Sequence, residues 1–304
     1  MENTVENKES LEKIMSEKLG NPITIVTEED TFDFKCQRCG QCCMHRNDIV
    51  LSPHDIYDAS KYLGIMPLQF LEEYTNTHIG HTSSLPVITL AVDDRGWCPF
   101  LQFDIKAGGL FGCSINDAKP GACRNHPIGI ATSFKSIDEN SKVQEAREYY
   151  IKVEQCKNSQ GHNNIVKVAD WIKKSKECSE ERMWSHTLQT IPPSILDMKK
   201  FIILIGIQTE LPSNFDELPD GENKEAIKLV VNRAKDIIAT LIEAIVDYTY
   251  LNYSIDRPFC EQAEENANKL KEICLKCKAY YDLCCEAFVE SGGDIDALFD
   301  TKGE

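Results

Sequence analysis

The sequence predicts an α+β protein: a loop-rich, cysteine-clamped metal-binding domain with short strands and capped helices, then a helical domain ending in a long antiparallel helix hairpin. Three observations predict it. Eight of the fourteen cysteines fall between residues 36 and 156, each beside a turn. Short β-like runs, Val87 to Val92 and Ile128 to Phe134, are separated there by Gly- and Pro-rich turns. Beyond Asn163 the apolar residues recur at three- and four-residue steps, the period of a helix with one buried face. The expected organisation is a charged lead-in over 1–30, a cysteine-cluster domain over 31–160 and a helical domain over 161–304.

The elements follow in order. Met1 to Lys18 is polar and acidic, with neither the apolar core nor the cleavage site of a signal peptide. Ser52 is a natural N-cap, Pro53 suits the first helical position, Asp55 completes a capping-box pattern and Gly64 stops the helix. Ile56, Ala59 and Leu63 give that helix its apolar stripe. A second helix is expected from Pro67, with Leu68, Leu71 and Tyr74 inward. Glu148 to Gln155 alternates Tyr149, Ile151 and Val153, predicting one more strand that leads to Cys156. Helices are expected over Asn163–Lys176 and Ser194–Ile207. Two long ones close the chain, Asn223–Tyr253 and Cys260–Val289, joined by Ser254 to Phe259.

Composition narrows the function classes. The net charge is −16 and no Lys/Arg-rich stretch supplies a basic face, which argues against nucleic acid and anionic membrane surfaces as partners. The longest apolar run, Phe201 to Ile207, is too short to span a bilayer. A cytoplasmic protein is expected, and in that compartment cysteines are reduced. They must therefore be metal ligands, reactive thiols or small apolar residues.

Placement separates these roles. Cys36-x2-Cys39-x2-Cys42-Cys43 puts four thiols in eight residues of turning chain, with Gly40 permitting the sharp turn. Cys98 (before Pro99), Cys113 (after Gly112), Cys123 and Cys156 complete the candidate metal-ligand set. Adjacent Cys42 and Cys43 are awkward on one tetrahedral ion because neighbouring side chains diverge, which favours iron over a single structural zinc. The C-terminal Cys260, Cys274, Cys277 and Cys284 fall on the apolar stripe of a regular helix, where small hydrophobes belong. Along a straight helix Cys274 and Cys284 are about 15 Å apart, too far to share an ion. Arg38, His45, Arg46, Arg124 and His126 lie close to the thiols in sequence. Of these Arg46, Arg124 and His126 are the candidate cofactor-binding residues, although the arginines could equally offset the charge of an anionic centre.

At these residues the chain resembles the CxxCxxCC family, described as chelating zinc or iron, whose domain also occurs in bacterial flagellin lysine N-methylases. The matching elements are Phe34 to Cys43, Ile49 to Ile56, Cys98-Pro99-Phe100-Leu101, Cys113 and Lys119 to Pro127. Lys119 stands where the family usually has arginine and His126 where it has an aromatic residue, and the Cys98–Cys113 segment is longer than usual. The resemblance implies a bound centre, an iron–sulfur cluster or zinc. In its methylase branch it implies methyl transfer from S-adenosylmethionine to lysines of a flagellin-like protein. No Gly-rich loop follows a strand, so a doubly wound methyltransferase domain is not expected, and the metal centre would have to help hold that cofactor. The competing classes are a non-catalytic metal carrier or electron-transfer protein, and a structural zinc site supporting a helical partner-binding domain.

Overall fold

A computed structural model describes residues 11–17, 22–81, 83–105, 108–136, 143–152, 161–175, 179–209, 222–290 and 292–299. The fold is α+β, as expected. It divides into two compact units, Met1–Asn76 with Ile88–Met183, and Thr77–Val87 with Trp184–Glu304. No described helix is long and apolar enough to cross a membrane.

The first unit begins with helix α1 (residues 11–17) and strand β1 (Ile23–Val26). The strand lies within the segment read as a charged lead-in. Its Ile23 and Val26 are buried, and it pairs antiparallel with β8 (Val143–Lys152) in a three-stranded sheet ordered β1-β8-β7, with β7 spanning Ile128–Ser136. Strand β2 (Thr31–Asp33) pairs antiparallel with β9 (Ile165–Lys167). The helix expected from Asn163 therefore starts later, as α5 (Val168–Lys174). Asp33 accepts hydrogen bonds from the Asn163 and Asn164 amides (3.2 and 2.9 Å), with Asn163 left-handed at φ 53°, which ties this stretch to β2 in place of a helical start.

Helix α2 (Pro53–Leu63) has every expected end: a Ser52–Asp55 capping box, Pro at the first turn and Gly64 left-handed at φ 70°. Helix α3 (Pro67–Tyr74) starts at Pro67 as expected, but Leu68 is exposed and Phe70 takes the core position, stacked 6.1 Å from Phe100. A stripe inferred from one helix cannot choose between apolar residues two positions apart when both flank it. Strands β3 (Thr75–Ile79) and β4 (Pro86–Leu90) form a two-stranded sheet. Strands β5 (Leu101–Asp104) and β6 (Leu110–Cys113) form a hairpin, which accounts for the long Cys98–Cys113 segment. The short helix α4 (Gly121–Asn125) completes the unit's contribution to the site.

The second unit is helical. The chain expected to be helical over 194–207 forms α6 (Glu180–Ile195), which enters from the first unit, and α7 (Met198–Thr209). Asp197 breaks the run by acting as a cap, accepting the Lys200 amide at 3.0 Å. Helices α8 (Glu222–Val246, continued by a π turn over Asp247–Leu251) and α9 (Phe259–Glu290) form the long hairpin, and α10 (Ile295–Phe299) follows. Its joint is closed by buried Gln262, whose amide bonds both backbone groups of Ser254. Cys274 and Cys284 lie in the core of this unit with Phe201, Leu204, Leu241 and Leu270, and Cys277 packs against it. These thiols are packing residues, as their spacing predicted.

Candidate metal centre

The first cysteine run folds around left-handed residues. Arg38 (φ 53°) and Gly40 (φ 79°) turn the chain into a single 3₁₀ turn over Gln41–Cys43. A Cβ on Gly40 would lie 3.0 Å from the Phe111 ring, so both conformation and space demand glycine. Two further segments are laced to this turn. The Cys98 amide donates to the Cys43 carbonyl at 2.8 Å. The Phe111 amide donates to the Arg38 carbonyl, and Arg38 Nε returns a bond to the Phe111 carbonyl, both 2.9 Å. These bonds bring Cys98 and the Cys113 strand beside the 3₁₀ turn. Cys123 arrives on α4, whose Gly121 amide donates to the Asp55 carboxylate at 2.8 Å.

Cys42, Cys43, Cys98, Cys113 and Cys123 form one electrostatic cluster. The Cys42 and Cys43 sulfurs are 3.8 Å apart. Cys43, as the S–H donor, lowers the pKa of Cys42, and Lys119 and Arg46 add to the effect despite burial. Cys43 moves in the opposite sense, raised by that bond, by burial and by the thiolates of Cys42, Cys123 and Cys98. Burial pushes Cys98 to about 11 and Cys123 to about 12, with the neighbouring thiolates opposing ionisation further. Cys113 is raised chiefly by burial, against the pull of Lys119. The sulfurs sense one another's charge, yet no three His, Cys, Asp or Glu side chains among the described residues are drawn to the spacing of a single bound ion.

A cavity of about 480 Å³ opens beside the cluster. Cys42 and Cys113 face it from one side, and Cys36 and Cys39 also line it, the former exposed and the latter half-buried. Phe34, Leu101 and Phe111 make its apolar wall, and Arg38, Lys119 and His126 its cationic or ionisable part. His126 packs edge-on against Phe34 with ring centroids 6.2 Å apart. Arg46 instead pairs with Asp48, and Arg124 sits 3.9 Å from Asp55 and 4.0 Å from Asp58. Neither Arg46 nor Arg124 lines the cavity, whereas His126 does. Cys156 lies outside the described residues.

Three residues near the thiols escaped sequence reasoning. Lys119 had been visible only as a departure from the family's arginine. Asp55 showed its capping role but not its burial, and Arg182, 127 residues away, gave no local signal. Asp55 is 2% exposed. Burial would raise its pKa, but Arg182 and the bonds from Ser52 and Gly121 hold it below the usual carboxylate value.

Fold and site together define a thiol-rich module whose cysteines come from four separate segments. Residues 35–157 match the model of the CxxCxxCC family, whose description reads "Putative zinc- or iron-chelating domain". Over those residues the chain is similar to that domain. No curated protein and no solved structure matches it.

Proposed function

We propose that Cys42, Cys43, Cys98, Cys113 and Cys123 hold an iron–sulfur centre and that the adjoining cavity admits a second ligand for chemistry at that centre. The observation that carries this reading is the mutual electrostatic coupling of these five thiols, two of which, Cys42 and Cys113, line a cavity. The donor set fits the group: thiolates suit zinc and iron–sulfur clusters, and Lys119 and Arg46 offset the anionic charge. Five thiols with two on adjacent residues exceed what one tetrahedral zinc requires. Cys36, Cys39 and Cys156 belong to the same proposed set.

The finer reading is protein-lysine methylation. S-adenosylmethionine, when bound, supplies a sulfonium methyl group, which a neutral lysine amine accepts with loss of one proton, leaving S-adenosylhomocysteine. Lys119 and His126 at the cavity are the residues this chain offers toward a carboxylate-bearing cofactor, and an acidic chain of net charge −16 suits a lysine-bearing protein partner in the cytoplasm.

Anaerobic purification with metal analysis and absorbance tests the first reading. A brown protein with iron and sulfide is expected; a colourless chain with stoichiometric zinc would overturn the iron–sulfur assignment and favour a structural zinc site. S-adenosylmethionine at about 100 times its Kd should add about 2.7 kcal/mol, which is about 5–11 °C in Tm for a unit of this size. No shift would remove the methylase reading and leave a carrier.

A further inference from the structure

We propose that Asp55 and Arg182 are positioning residues for the metal centre: their buried ion pair sets the helix that carries Cys123, and residue 121 is glycine because the guanidinium occupies the space of a side chain. This rests on the reading that Cys123 is a ligand.

A helix cap needs one carboxylate oxygen; Asp55 uses both. Oδ2 accepts from the Ser52 amide and hydroxyl, each at 2.8 Å, which completes the capping box of α2. Oδ1 accepts from the Gly121 amide at 2.8 Å and from Arg182 Nη2 at 2.9 Å. Arg182 Nη1 donates to Ser52 Oγ at 2.7 Å and to Oδ2 at 3.2 Å, so the guanidinium fork spans the cap. Capping by Asp is ordinarily satisfied at a solvated surface. Here the carboxylate is taken out of water, a cost that only a close partner and full hydrogen bonding offset.

That investment lies two residues from Cys123. Asp55 holds the first residue of α4, and the Trp171 indole donates to the Asn125 carbonyl at 2.9 Å, holding the last. With both ends pinned, a five-residue helix has one position for its single cysteine. Gly121 allows it: a Cβ there would collide with the Arg182 guanidinium. Among the described thiols of the cluster, Cys123 is the one on α4, so loosening this pair displaces one sulfur and spares the others.

Alkylation of the metal-free full chain, read cysteine by cysteine by mass spectrometry, tests this. Arg182→Gln should speed modification of Cys123 about tenfold, the factor given by 1.4 kcal/mol of lost local stability, with Cys98 and Cys113 unchanged. Arg182→Lys, which restores charge but not the fork, should recover part of the protection. Ser52→Ala, mild enough to keep the fold, should give a rise of about two- to threefold at Cys123 alone. In cobalt-loaded protein the thiolate charge-transfer band of Arg182→Gln should fall by one ligand's share. Equal acceleration at Cys98, Cys113 and Cys123, or none at Cys123, overturns the proposal and leaves a merely stabilising ion pair. Failure of the wild-type chain to take up cobalt would instead overturn the metal reading, while the alkylation pattern still decides the placement.

Discussion

Gly121→Ala should be among the most damaging single-methyl substitutions in the first unit. The added carbon would collide with the Arg182 guanidinium, which Asp55 holds through both of its terminal nitrogens and which can yield only by giving up those bonds. Its departure removes two charge-assisted hydrogen bonds, of 2.9 and 3.2 Å, from a carboxylate that is 2% exposed. Each such bond is worth about 1.5–3 kcal/mol, and breaking a buried pair costs about 3–5 kcal/mol. A loss of about 4 kcal/mol corresponds to a fall of about 8–16 °C in Tm for a unit of 150–250 residues. Thermal or urea unfolding of the metal-free chain measures it, and Arg182→Ala supplies the control. With the guanidinium gone, the alanine methyl finds room, and adding Gly121→Ala to Arg182→Ala should cost under about 1 kcal/mol. The same large cost in both backgrounds would refute the reasoning, because the clash would then not be with Arg182.

Other outcomes are expected. The lowered pKa of Asp55 stabilises the fold fully above its ordinary value of 3.8, and that contribution disappears as pH falls through the lower folded-state value; Asp55→Asn should therefore be destabilised near neutrality but show a flatter acid limb in urea titrations. In the metal-free chain Cys42 should react with iodoacetamide near neutral pH, since Cys43 stabilises its thiolate, whereas Cys98, at about 11, holds only about one part in 10⁴ as thiolate at pH 7 and should lag. Cys274→Ser, a hydroxyl in a fully buried apolar position, should cost about 1–3 kcal/mol without changing bound metal. Cys98→Ser should do the reverse, lowering metal content with little change in the metal-free Tm; equal metal loss in both would mean that the C-terminal thiols belong to a centre.

What the sequence made legible was local. Ser52, Pro53, Asp55 and Gly64 signal the ends of α2 because each acts on backbone groups within four residues. The stripe over Cys260–Val289 signals α9 because a helix repeats its environment every turn, and the same stripe marked Cys274 and Cys284 as core residues. The strands β1 and β9 were missed since each is three or four residues long and finds its partner more than a hundred residues away. Asp197 was missed because a cap inside an apolar run is masked by the run itself.

The cysteine cluster divides along the same line. Spacing placed Cys36, Cys39, Cys42 and Cys43 within eight residues of chain, with Gly40 between them to let it turn. Only the tertiary structure decided that Cys98, Cys113 and Cys123 join Cys42 and Cys43, that Lys119 and His126 face the cavity, and that Arg124 turns to Asp55 and Asp58. Those outcomes depend on where separate loops are tied together, by the Cys43–Cys98 and Arg38–Phe111 backbone bonds and by a buried aspartate that meets its arginine 127 residues along the chain. Bonds across such distances leave no period and no motif in the sequence; they exist once the chain has closed around them.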